Sequence, residues 1–339
     1  MTDIVLISVT VAVLVLLSVI TRTNKLSADS GELLSFPFTN SMRGVAILMI
    51  LVGHISGVMG IVALNPLAST GVTLFLILSG YGLNESFRKH GLRHFWRKKI
   101  LRVLLPYSFV FIALAVFNHN TSPLSWALNL LGLRTSYWYI AFIIKCYLIF
   151  WLASVAAPPY RLWIMTLLSV GLFFIGGELE APQSFSFLFG VALSHSAISP
   201  SRLRNATVPK ILLRPASIAC LTFVIGTMFL AIKQIPYVRA EYYGSMLYDL
   251  IQLLINLPYA VSVMFALYGL KSFPSSRFLL FTGSISYELY LIHFPFYTSV
   301  EKNLIYIALF FAGSYLFSYI YQRFIAVIEH SFTKRLIRG

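Results

Sequence analysis

Long apolar runs alternate with short polar linkers from one end of the chain to the other. Eleven apolar stretches stand out, at about 4–20, 44–63, 69–84, 102–117, 137–157, 161–175, 184–198, 211–232, 246–270, 278–299 and 304–327. A helix needs roughly 20 apolar residues to cross a hydrocarbon core of about 30 Å, and most of these stretches approach that length. No soluble domain interrupts them, and no internal repeat is visible. The pattern predicts an all-α fold: a polytopic membrane helix bundle of about eleven transmembrane helices.

Composition agrees. Hydrophobic residues make up 58% of the chain and charged residues 11%, whereas soluble domains carry about a quarter charged residues. The net charge of +15 does not point to nucleic acid. The basic residues are dispersed in the linkers, as the positive-inside rule expects of a protein whose partner is the lipid bilayer. Linker 85–102 holds Arg88, Lys89, Arg93, Arg97, Lys98, Lys99 and Arg102 and is expected in the cytoplasm. Alternate linkers follow suit, with Arg202, Arg204, Lys210 and Arg214 in 199–214, Lys271 and Arg277 in 271–277, and Lys334, Arg335 and Arg338 in the tail. On this reading the N-terminus lies outside, the C-terminus lies in the cytoplasm, and Arg43 marks the cytoplasmic end of the second span. The first run lacks a basic n-region and a small-residue cleavage site, so it is read as a span and not a signal peptide. Cys146 and Cys220 sit in apolar runs without metal-ligand spacing and read as packing residues, and no metal is expected.

Charge at membrane depth is costly, which makes His54, Lys145, His195, Asp249, Glu288 and His293 candidates for function. His54 is the most informative. It follows Arg43 by eleven residues, about three helical turns, so the two side chains share a face roughly 16 Å apart along the axis. An imidazole there suits a general base working near neutral pH. A buried histidine bonded to another helix, with Arg43 as a topology anchor, accounts for the same spacing. Lys145 is expected to pair with an acid such as Asp249 or Glu288. Asp249 reads as solvated near an outer boundary, and His195 as ordinary. Glu288 and His293, five residues apart, do not share a helix face. Lys99 and Arg102, at i and i+3, are placed on one face; they suit phosphate binding, and equally a lipid-facing topology signal.

Five segments in a fixed order resemble the acyltransferase-3 family of integral membrane acyltransferases. They are RGVAILMILVGH with Arg43 and His54, TLFLILSGYGL with Tyr81, FWRKKILRVLLPY with Arg97, Lys99 and Arg102, SYWYIAFIIKCYLIF with Trp138 and Tyr139, and SISYELYLIHFPF with Glu288 and His293. Lys99 stands where the family usually has arginine, which forgoes bidentate phosphate geometry. The resemblance spans about 39–330, a ten-helix core, leaving 1–38 as an extra helix with its linker and 331–339 as a short cytoplasmic tail. It implies a bacterial inner-membrane O-acetyltransferase. The enzyme would move acetyl from cytoplasmic acetyl-CoA to a hydroxyl of a surface polysaccharide such as capsule, O-antigen or exopolysaccharide. Arg43 and His54 would be catalytic, with His54 as base or transient acyl carrier, and Lys99, Arg102 and Arg97 would hold the acyl-CoA. Trp138, Tyr139, Tyr81, Glu288 and His293 would meet the glycan acceptor, although interfacial anchoring explains the aromatic residues as well. A transporter or flippase of lipid-linked glycan or acyl groups is the rival from another class.

Overall fold

The computed structural model describes residues 2–22, 34–117, 122–131, 135–196, 214–270 and 276–337. The basic residues Arg202, Arg204, Lys210, Lys271 and Arg338 lie outside the described residues.

In chain order the helices are α1 (Thr2–Ile20), α2 (Phe36–Val58), α3 (Asn65–His90) and α4 (Phe95–Lys99), which runs through a π-helical segment, Ile100–Leu104, into α5 (Leu105–Phe117). Then follow α6 (Pro123–Leu130), α7 (Trp138–Ala156), α8 (Arg161–Ile175), α9 (Ser186–Ser196), α10 (Pro215–Gln234) and α11 (Pro236–Tyr242). The last are α12 (Met246–Gly269), α13 (Arg277–Ser284), α14 (Ser286–His293) and α15 (Leu304–Ile337). Among the described residues, nine helical segments are long and apolar enough to cross a membrane. The protein is a polytopic membrane helix bundle.

Local chemistry sets the ends. Pro37 and Pro66 occupy the first turns of α2 and α3, where a missing N–H costs nothing. Gly91 ends α3 at φ +58°, a conformation open to a residue without Cβ, with Arg88, Lys89 and His90 in the last turn complementing the helix dipole. Ser245 and Ser276 cap α12 and α13, their hydroxyls accepting from the N–H of Tyr248 and Leu279, each at 3.3 Å.

Two of the apolar stretches form shorter helices than hydropathy predicts. Among the described residues, stretch 184–198 yields the eleven residues of α9, and the chain before it folds back into the protein. Gln183 is buried there; its amide donates to the Ser69 carbonyl (3.2 Å), and its oxygen accepts from Thr73 (2.8 Å) and Ser186 (3.1 Å). The backbone of the turn is satisfied locally, the N–H groups of Ala181, Gln183 and Ser184 donating to the carbonyls of Gly177, Glu180 and Ala181, as non-helical backbone inside a membrane protein must be. Stretch 278–299 breaks at Ile285 into α13 and α14. The Ser286 hydroxyl meets the Gly283 carbonyl at 2.9 Å across the break. Conversely, α2 starts eight residues before its apolar run, because Asn40 is buried and donates to the Leu280 carbonyl at 2.8 Å.

Glycines hold the centre together. A Cβ on Gly44 would strike the Leu279 carbonyl and one on Gly283 the Asn40 carbonyl, so α2 and α13 touch backbone to backbone. Gly80 and Gly190 do the same for α3 and α9, against Phe187 and Ile77. Lipid tails are as apolar as leucine, so helices in a membrane associate through such close packing. The result is a central α2–α3 pair with α13 and α9 pressed against it.

Candidate active site

Arg43, Ile50 and His54 stand at i, i+7 and i+11 on α2, one stripe along a single face. The stripe serves two cavities. Arg43 lines one of about 530 Å³, walled by Arg102, Tyr139, Tyr147, Tyr287, Glu288 and Arg323 among others. His54 lines a second of about 510 Å³, with Trp138, Lys233, Tyr248, Asp249, Gln252 and Asn256. Ile50, Val72 and Tyr290 line both. The cavity headed by a guanidinium and the one headed by an imidazole therefore adjoin at these three side chains.

The His54 ring lies against Tyr297 (centroids 4.7 Å apart) and His293 (5.3 Å). His293 is fully buried, with Nδ1 2.9 Å from the Leu289 carbonyl. A carbonyl only accepts, so Nδ1 carries the hydrogen and Nε2 keeps its lone pair. That Nε2 has no hydrogen-bond partner among the described residues. His54 itself is half-buried, open to the cavity on one side and backed by aromatic rings on the other.

A family model described as an acyltransferase domain matches residues 36–328. The chain belongs to the acyltransferase-3 family. No curated protein and no solved structure matches it. The match begins at the first residue of α2 and takes in every lining residue of the two cavities except Glu329; α1 lies outside it.

The acyltransferase places its candidate residues unequally. Arg43, Arg102, Tyr139 and Glu288 share one cavity, and His54 and Trp138 the other. No carboxylate pairs with Arg43 within ion-pair distance among the described residues. Tyr139 and Ser79 line the same cavity. Glu288 and His293 diverge as their spacing predicts: Glu288 lines the Arg43 cavity, while His293 backs His54. Lys99 turns inward, its Nζ 4.1 Å from the centroid of the Tyr147 ring, while Arg102 is exposed at the cavity wall. The π-helical segment between them widens the turn, so i and i+3 do not stack as in an α-helix. Arg97 and Tyr81 are half-buried and line neither cavity.

Three readings of the sequence need correction. Lys145 pairs with Glu180, its Nζ 2.7 and 2.8 Å from the two carboxylate oxygens, and with neither Asp249 nor Glu288. The loop folded back ahead of α9 is what brings Glu180 within reach. Asp249 is buried, with Oδ1 lacking a partner among the described residues, and it lines the His54 cavity. Cys146 packs as expected, but Cys220 is exposed on α10.

Hydropathy also overlooked several polar groups. Lys233, near the end of α10, reaches the Gln252 side chain at 3.1 Å and lies 5.0 Å from the Tyr248 ring centroid. Asn256 accepts from Ser69 at 2.9 Å in the same cavity. With Asp249 they give polar lining to the cavity that Trp138 also lines. Arg161, the first residue of α8, is buried over the rings of Phe87 (4.4 Å) and Phe150 (5.2 Å). Its guanidinium donates to Asn84 at 2.6 Å, and Asn84 in turn donates to Ser194 at 2.8 Å. Each of these residues sits at the margin of an apolar run or is uncharged, which hides it from a search for charge at mid-span.

Proposed function

We propose that this protein is a bacterial inner-membrane O-acetyltransferase that moves acetyl from cytoplasmic acetyl-CoA to a hydroxyl of a surface polysaccharide: capsule, O-antigen or exopolysaccharide. The observation that carries the reading is the Arg43–Ile50–His54 stripe, which sets a cationic cavity and an imidazole cavity back to back on one helix. On this reading the N-terminus lies outside and the Arg43 cavity faces the cytoplasm, in keeping with the positive-inside rule for the basic linker that carries Arg102.

Arg43, Arg102 and Arg323 supply positive charge to the cytoplasmic cavity, which suits the phosphates of CoA. Tyr139, Tyr147 and Tyr287 form apolar walls with polar tips, a fit for the amide-bearing pantetheine arm. On the far side, Trp138 offers a ring face, and Asp249, Asn256, Gln252 and Lys233 offer acceptors and donors for sugar hydroxyls. His54 takes the acceptor proton as the hydroxyl oxygen attacks the thioester carbonyl. The C–S bond breaks, an ester C–O bond forms, and the proton passes to the departing thiolate. In the covalent variant His54 attacks the thioester first, the C–S bond breaking to release the CoA thiolate as an acyl–imidazole C–N bond forms, and the hydroxyl then takes the acyl group as that C–N bond breaks. A rapid quench of protein mixed with radiolabelled acetyl-CoA and no acceptor separates the two routes, since only the second leaves label on His54.

The decisive experiment is acetyl transfer to purified glycan by His54→Ala and Arg43→Ala proteins that retain the wild-type melting profile. Near-normal turnover by the histidine variant overturns the mechanism. A flippase has no use for CoA, so thermal stabilisation of the purified protein by CoA favours the transferase over that rival.

A further inference from the structure

Resting on the transferase reading, we infer that Ile50, Val72 and Tyr290 are the size filter for the acyl group. These three residues are the shared wall of the two cavities. A thioester held beside Arg43 and a hydroxyl held beside His54 meet only across this layer. Ile50 stands one helical turn before His54, about 6 Å along the axis, so an acyl carbon at the layer is within reach of the imidazole.

The layer is built to be stiff. Ile50 is 2% exposed and Val72 7%, and both are β-branched residues on helices, where one χ1 rotamer dominates. Tyr290 is 8% exposed. Its ring is clamped edge-on by Tyr139 (centroids 5.3 Å apart) and Tyr137 (6.0 Å), and Tyr137 is anchored by its hydroxyl to the Leu291 carbonyl at 2.9 Å. Close-packed walls do not yield to an added methylene without strain. Acetyl is the smallest acyl group with a carbon tail, and each further carbon must be housed in this layer while the C–S bond breaks and the C–O bond forms. The filter thus restricts donors to short-chain thioesters, independently of how CoA or the glycan is bound.

The test is transfer by purified wild-type, Val72→Ala, Ile50→Ala and Val72→Phe proteins to surface polysaccharide, using acetyl-, butyryl- and octanoyl-CoA as donors. Widening the layer should raise the butyryl-to-acetyl ratio by about tenfold or more in Val72→Ala and Ile50→Ala, the scale on which pockets discriminate a methylene. Val72→Phe should abolish transfer of every acyl group while keeping the thermal shift caused by CoA. Should Val72→Phe not fold, Val72→Leu takes its place, with acetyl transfer reduced and the ratio lowered. Ratios unchanged within about twofold in both alanine variants overturn the filter, as does wild-type transfer by Val72→Phe. Absence of transfer by the wild-type protein from any of the thioesters overturns the transferase reading itself.

Discussion

Of the first two helices, α1 is the more hydrophobic, with mean hydropathy 2.8 over its candidate span against 1.6 for α2, yet only 11% of that window is buried in α1 against 67% in α2. In water the more apolar helix would be the core. In a bilayer the solvent is apolar, so hydrophobicity marks contact with lipid, whereas small and polar residues mark contact with protein. α2 carries Asn40, Ser41, Arg43, Gly44, Gly53, His54 and Ser56; it is buried because of them, and the chemistry follows. α1 touches the bundle along one narrow face, where Ile7 and Thr10 are buried, and near its ends, where the Thr21 carbonyl accepts from the Arg277 N–H at 3.1 Å and Asp3 meets Lys302 at 3.4 Å.

The sharpest test of this contrast is His54→Ala on α2, expected to lower acyl transfer by about 10²- to 10⁴-fold, the range for a general base, with the melting temperature in detergent unchanged. Next comes Gly44→Ala, whose Cβ collides with the Leu279 carbonyl. It should destabilise by about 1–3 kcal/mol, as overpacking does, read as a lower melting temperature. Asn40→Ala removes the bond to the Leu280 carbonyl and should cost about 0.6–1.5 kcal/mol in the same measurement. Smallest is Leu16→Ala on α1, a residue 55% exposed. A change within about 0.5 kcal/mol is expected there, and a loss as large as that of Gly44→Ala would break the comparison.

The helices themselves were legible from hydropathy, and errors gather where polar residues interrupt it. The Gln183 loop and the Ile285 break interrupt two stretches because Gln183 ties the loop to α3 and the Ser286 hydroxyl satisfies the Gly283 carbonyl, polar contacts that mean hydropathy does not register. The site was legible along α2, since two residues on one helix have a relation set by its 3.6-residue turn. It was less legible between helices. Asp249 near a span end looked solvated and is buried; Lys145, expected to meet an acid such as Asp249 or Glu288, found Glu180 in a folded-back loop. The amides Gln252 and Asn256 gave no signal, being uncharged.

From the sequence alone came the membrane bundle, the family and the Arg43–His54 stripe, because all three depend on composition, order or the pitch of a single helix. The two cavities, the Ile50–Val72–Tyr290 layer between them and the His293 ring behind His54 were decided only by the tertiary structure. They join residues as far apart as 50, 72 and 290, and what brings those together is close backbone approach at Gly53 and Gly71, between α2 and α3, and at Gly44 and Gly283, between α2 and α13, a matter of helix packing that no local pattern encodes.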